Sequence, residues 1–392
     1  MLFLWGDMMK VKLGDIGAIL TGNTPKTSDG KNYISKDINF IKPSDIDEDK
    51  ITNISTSDYF ISELAKNDAR ILPVGSILVT CIGIIGKVGI NSIECAFNQQ
   101  INAIIPDTRK CNNKFLAYAI QFKKNELQQL ANAPVVPILN KTQFSNIQIC
   151  LPLIEKQNKI VAILDMINEI INKRQQQLKK LDELVKSRFI EMFGSFPENS
   201  KNWKICTIKE IVSDVRYGTS RAAVDGGKYP YLRMNNITYD GELDLTDLKY
   251  IDIPDKELEK CTVKCGDVLF NRTNSKELVG KTCVYNRNDT MVLAGFIIRI
   301  RVNENILPVF LAMFLNMDFS KTMLKEMCKS AIGQANINAT ELQKIRIILP
   351  PIELQEEFVK FKNQTGKSKL EIKKSLDKLE ILKKSLMQEY FS

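Results

Sequence analysis

Histidine is absent from all 392 residues. That excludes Ser-His-Asp and Cys-His triads, imidazole general bases and every histidine-containing zinc or iron site. Nine cysteines remain (Cys81, Cys95, Cys111, Cys150, Cys206, Cys261, Cys265, Cys283 and Cys328), an odd number with no Cys-x-x-Cys pair. Cys261 and Cys265 form the one close couple, and a single couple makes no metal site, so reduced thiols are the expected state. The phosphate motifs fail as well. ELVGKT (Glu277 to Thr282) ends like a phosphate-binding loop, but Ser275 stands where the glycine five residues before Gly280 is required, and GIIGK (Gly83 to Lys87) is too short. Neither Pro106-Asp107 nor Pro254-Asp255 is followed by the acidic residue, spacer and lysine of a metal nuclease. The chain has no glycine fingerprint for a nucleotide cofactor and no Asn/Asp-Pro-Pro-aromatic motif for amino-methylation. No catalytic residue and no metal ligand is assigned.

Binding chemistry is more abundant. TGNTPK places Thr21, Gly22, Asn23, Thr24 and Lys26 in one polar loop, and RYGTSR places Arg216, Tyr217, Thr219, Ser220 and Arg221 in another. A glycine turn flanked by hydroxyl, amide and cationic donors can approach a phosphate or a base edge closely. FNQQ adds Asn98, Gln99 and Gln100; FNRTNSK adds Asn271, Arg272, Asn274 and Lys276; YLRMNN adds Arg233, Asn235 and Asn236. Asn and Gln pair bidentately with adenine in the major groove, and Arg with guanine. Residues 11–150 contain only Arg70 and Arg109, whereas residues 203–349 hold eight arginines, so the later segment is expected to be better equipped for G·C contacts.

These loops recur because the chain repeats itself. Residues 151–193 laid on 349–391 without a gap give 14 identities in 43 positions, against roughly three expected from ordinary residue usage. LNKTQFSNIQICLP resembles INATELQKIRIILP, and PVGSILVTCIGIIGKVGI resembles KCGDVLFNRTNSKELVGKTCV. Each repeat ends in a long helix pattern that starts after Pro152 or Pro350, with Glu155 or Glu353 favouring the positive helix end. Leu164, Ile167, Ile171, Leu178, Leu181, Val185 and Met192 alternate spacings of three and four, broken by Arg174 and Arg188. Ile372, Leu376, Leu379, Leu386 and Tyr390 continue the phase in the second copy, weakened early by the segment around Gly366. A helix with one apolar stripe needs a partner for it, and the chain supplies one match. The expected arrangement is an antiparallel coiled coil with a globular portion at either end, related by a pseudo-two-fold axis.

The remainder is 44% apolar, with short Ile/Val/Leu/Phe segments such as SILVT, INAIIP, DVLFN and GFIIRIRV between turn residues. The fold class expected is α/β (α+β), organised as 1–150, a spacer helix 151–199, 200–348 and a second spacer helix 349–392. A net charge of +9, spread along the chain, suits a polyanion-binding surface. The start of the chain is too short and too poor in basic residues for a signal peptide, and residues 71–86 are too short to span a membrane. A cytoplasmic setting is expected.

Two similar globular portions, the helix starts LPLIEKQ and LPPIELQ, and the segments GDVLFNRTNSKELVGKT, GKVGI, NQQINAIIP and TGNTP together resemble the specificity subunits of type I restriction-modification systems. The resemblance runs from about Val11 onward, with Leu153 replacing a commoner second proline. It implies two target recognition domains, each reading one half of a bipartite, asymmetric site on double-stranded DNA. It also implies helices that set the unread gap and dock modification subunits, two of them, with restriction/translocase subunits joining through the assembled complex. S-adenosylmethionine, ATP and Mg2+ would belong to those partners, this chain being non-catalytic and without a cofactor of its own. The competing reading is a protein-interaction scaffold with paired coiled-coil helices.

Overall fold

The computed structural model describes residues 9–131, 136–275, 277–331 and 334–392. The chain divides into two compact units, one formed by residues 1–175 with 374–392 and the other by residues 176–373.

In the first unit the main sheet has five strands, in the order Gly17–Thr21, Ile101–Pro106, Ile77–Thr80, Val88–Asn91 and Thr52–Ile54. A smaller sheet places Ile38–Ile41 parallel to Cys95–Phe97 and flanks the pair with Phe60–Ile61 and Ile71–Leu72. Met9–Lys12 pairs antiparallel with Gln148–Leu151. The second unit repeats this order. Val212–Tyr217, Ile297–Val302, Val268–Asn271 and Thr282–Val284 form its main sheet. Tyr229–Leu232 runs parallel to Val292–Leu293, and Lys204–Thr207 pairs with Arg346–Leu349. The segments SILVT, INAIIP, DVLFN and GFIIRIRV supply central strands, and the run of four consecutive buried residues in each strand explains why they read as apolar runs rather than alternations.

A pair of consecutive helices stands upstream of each spacer segment. Asn113–Phe122 and Lys124–Leu130 break at Lys123, and Pro308–Asn316 and Asp318–Met327 break at Met317, whose extended backbone (φ −67°, ψ 151°) cannot continue a helix. Asn112 starts the first of these by accepting the Lys114 and Phe115 N–H groups.

Both spacer segments are helical for 40 residues, Ile154–Phe193 and Ile352–Phe391, and Gly366 does not interrupt the second. The heptad seam is covered to different depths. Leu164, Ile167, Ile171 and Val185 are buried, whereas Leu178, Leu181, Met192, Ile372, Leu376, Leu379, Leu386 and Tyr390 are half-buried. Phe189, Phe193, Phe358 and Phe391, outside that seam, are buried as well. They are buried because the helix ends pack on a domain as well as on another helix. Within the second unit the helices run antiparallel: Asp182 pairs with Lys369 at 2.5 Å, Arg188 with Glu357 at 3.0 Å, and the Phe189 ring lies 5.3 Å from Phe358.

Buried Gln157 and Gln355 tie each helix start to its unit in the same way. Gln157 accepts the Asn112 N–H at 2.8 Å and donates to the Lys110 and Pro152 carbonyls. Gln355 accepts the Leu307 N–H at 2.8 Å and donates to the Asn305 and Pro350 carbonyls. Among the described residues the nine cysteines form no disulfide. Among the described residues no group of three or more Cys, Asp or Glu could hold a metal ion, and no helix is long and apolar enough to cross a membrane.

Candidate nucleic-acid interface

A single backbone frame carries the candidate loops in both units. The Gly22 N–H donates to the Ile101 carbonyl and the Asn23 N–H to the Phe97 carbonyl; the Gly218 N–H donates to Ile297 and the Thr219 N–H to Leu293. A Cβ at Gly22 would collide with the Asn98 carbonyl, and one at Gly218 with the Leu293 carbonyl, so this close approach requires glycine in both. Cys81 N–H donates to Gln100 at 2.8 Å, and Arg272 N–H donates to Phe296 at 2.9 Å. The next turn repeats too. Gly86 and Gly280, both with positive φ, donate to the Thr80 and Asn271 carbonyls. Lys87 and Lys281 then donate their ammonium protons to carbonyls of matching 3-10 turns, at Pro43 and Ile46 in one unit and Met234 in the other.

The frame sorts the candidate residues into those that face solvent and those that build the loop. In the first unit Thr24, Lys26 and Gln99 are exposed, and Thr24 donates to the Gln99 side-chain oxygen at 2.5 Å. Thr21 donates to Asn102 at 2.6 Å. Asn23 donates to the Asp68 carbonyl and receives the Arg70 N–H, so its amide is already engaged. Asn98 is buried and bonds to Gln100, which is half-buried. Sequence reasoning missed Arg70 as a brace: its guanidinium donates to the Thr21 carbonyl.

In the second unit Tyr217, Ser220 and Asn235 are exposed, and so are Arg216 and Arg221. Thr219 is buried and its hydroxyl accepts the Arg221 N–H. Asn236, also buried, accepts the Arg233 N–H at 2.8 Å and donates to Asp244, which makes it a cap for its turn. Asn271 is fully buried under the Gly280 turn, so in this conformation it shapes the loop and presents no edge to a ligand. Asn274 is half-buried and accepts the Ser275 N–H. Lys276 lies outside the described residues.

Much of the arginine surplus of the second unit is engaged within the chain. Arg299 is almost fully buried, bonding to Asp214 at 2.7 Å, and Arg301 bonds to Asp267 at 2.8 Å. Arg216, Arg221, Arg233 and Arg287 pair with Asp214, Glu257, Asp247 and Asp289. Six of the eight arginines therefore have carboxylate partners, because guanidinium forks also serve as internal braces. Arg272 is arranged differently. Its guanidinium carbon lies 4.9 Å from the centre of the Tyr217 ring and its Nε has no hydrogen-bond partner. Tyr217 is itself fixed, its hydroxyl accepting the Ala339 N–H at 2.7 Å. Tyr217 thus holds this cation by its face beside the loop, and a guanidinium so placed suits a guanine edge or a phosphate.

Buried titratable groups lie behind this surface. Lys321, whose ammonium donates to the Gly280 carbonyl at 2.5 Å, has its pKa pulled down to about 7, first by burial and then by Lys281 and Lys186. Burial also lowers Lys281. Asp214 is held below the usual carboxylate range; burial opposes this and the Arg299 and Arg216 guanidiniums outweigh it.

Comparison with known proteins agrees with this duplicated frame. The type I restriction modification DNA specificity domain matches residues 6–180 and again 200–382. The chain is 21% identical over 370 residues to the type I restriction enzyme EcoKI specificity subunit of Escherichia coli K12, covering 88% of this chain and 79% of that one. It is 32% identical over 203 residues to the MjaX specificity subunit of Methanocaldococcus jannaschii, a match covering 51% of this chain and about half (47%) of the relative's length. In fold it resembles the type I restriction-modification S subunit from M. genitalium, with a TM-score of 0.56 at 13% identity and coverage of 100% and 98%. A second solved chain, from work on complex assembly and conformational transition of the type I R-M system, gives 0.64 at 17% identity and coverage of 99% and 98%. The chain belongs to the type I restriction-modification DNA specificity family, as a specificity subunit with two DNA specificity domains.

Proposed function

We propose that each unit reads one half of a bipartite, asymmetric site on double-stranded DNA and that this chain directs methylation and restriction without performing either. The observation that carries this is the duplicated frame with unlike side chains. Gly22 and Gly218 occupy the same backbone position, but Asn23, Gln99 and Gln100 in one unit are replaced by Thr219, Gly295 and Phe296 in the other. Equal frames with unequal donors would recognise unequal half-sites. Exposed lysines such as Lys26 would contribute salt-dependent phosphate contacts, and base choice would rest on Thr24, Gln99, Tyr217, Asn235 and Arg272.

The two 40-residue helices would fix the unread gap and dock two modification subunits. Ile163, Met166 and Ile170, exposed apolar side chains along the first helix, support a protein-facing role there. Restriction/translocase subunits would join through the assembled complex, in the cytoplasm. Methyl transfer from S-adenosylmethionine and ATP- and Mg2+-dependent translocation would belong to those partners. The test is a genome-wide map of methylated adenines in the native host with and without this gene. Loss of one bipartite motif is the expected result; unchanged methylation, with no DNA binding by the chain plus modification subunits, leaves a protein scaffold instead.

A further inference from the structure

Position 296 stands out on the duplicated frame. Backbone at Gln100 and Phe296 plays the same part in the two units: each carbonyl accepts the N–H of the residue that follows the central strand, Cys81 or Arg272. The carbonyl of the next residue, Ile101 or Ile297, accepts from the loop glycine. The side chains have opposite chemistry. Gln100 is half-buried with its oxygen held by the Asn98 amide at 2.9 Å, leaving amide protons for an acceptor. Phe296 is 52% exposed although its neighbours Ala294 and Ile297 are buried.

A single exposed phenylalanine is ordinary on a protein surface. This one follows Gly295, which donates to the Thr219 carbonyl at 2.7 Å, and its own carbonyl accepts from the backbone of Arg272, the arginine that lies over Tyr217. An apolar ring and a stacked cation are therefore carried by neighbouring backbone positions joined by one hydrogen bond. In a major groove these two chemistries are complementary to the C5-methyl of thymine and to the O6/N7 edge of guanine.

Resting on the reading of this chain as a DNA specificity subunit, we infer that Phe296 is a specificity-determining residue. It contacts the methyl group of a thymine in the second half-site, while Gln100 gives the equivalent position of the first half-site to a base with a hydrogen-bond acceptor. The discrimination at this position of the second half-site is by apolar contact and not by hydrogen bonding.

The experiment uses the full chain assembled with its modification subunits. The methylated motif is sequenced for wild type and Phe296→Gln, and wild-type binding is measured on duplexes with each thymine of the second half-site replaced in turn by uracil, which lacks the methyl. One uracil should weaken wild-type binding roughly four-fold, the value of one buried methyl group, with no such loss for Phe296→Gln. The variant motif should change at that position alone. No uracil effect in the wild type overturns the inference, and it does so even where Phe296→Gln fails to fold. A wild-type bipartite motif retained in that case leaves the specificity function standing; absence of any motif in the wild type removes the function and the inference together.

Discussion

The ring of Phe391 rests 5.2 Å from the ring of Phe115, and the equivalent pair in the second unit, Phe193 and Phe310, is 4.9 Å apart. Each unit therefore takes the start of one long helix and the end of the other. Phe391 is 3% exposed, so Phe391→Ala should cost about 3–5 kcal/mol. Amide hydrogen exchange of Asn113–Phe122 should accelerate while Pro308–Asn316 keeps its protection; equal protection of both would deny Phe391 this role.

Replacing Gln157 by leucine keeps the volume and removes three hydrogen bonds to backbone groups of the first unit. Each buried group left without a partner costs about 1–3 kcal/mol. A lowered denaturation midpoint is expected, and Gln355→Leu should produce a matching loss in the second unit.

Arg272→Ala should relax one position of the second half-site, removing about 1–3 kcal/mol of base discrimination. The sequenced methylation motif would become degenerate there with the first half-site intact. An unaltered motif would reduce Arg272 to a phosphate contact or a structural group.

Lys321 makes the second unit sensitive to pH. Its pKa is about 7 when folded and rises to the ordinary 10.5 when unfolded. Between these values the unfolded chain binds more protons, so stability rises with pH through this window and is lost as pH falls towards 7. The clean interval is pH 7 to 8.5, because Cys81, Cys95, Cys111 and Cys283 are pushed up to about 12 and oppose the trend once unfolded thiols ionise near 9. Denaturant titrations should show the rise in the parent and a flatter profile in Lys321→Met.

Inserting one heptad into both long helices, between Leu178 and Leu181 and between Leu376 and Leu379, should lengthen the unread gap and preserve both half-sites. Methylation mapping reads both at once. The same gap in the longer protein would end the ruler role of the helices.

Much of the fold was legible because repetition and helical period survive in one sequence. The Pro152 and Pro350 helix starts, the heptads and the central strands all follow from local pattern. The loops were less legible. Asn236 and Asn271 look like base readers by type, yet each is buried in a turn of its own unit, a matter of tertiary packing that no spacing reveals. Arg299 is one of eight arginines in its segment, and residue type alone does not show that Asp214 and Thr262, distant in sequence, hold it inside. Phe296, an apolar residue beside a strand, reads as core in the sequence; its exposure depends on the Gly295 turn that lifts it out.

The duplicated frame also separates heritable folding from heritable preference. The hydrogen bonds at Gly22 and Gly218 join backbone to backbone, so they persist whichever side chains the surrounding loop positions carry. Exposed substitutions at such places usually shift stability by no more than about 0.5 kcal/mol. Point changes at exposed loop positions can thus accumulate with each intermediate still folded, and the side chains of the two units of one protein can diverge independently.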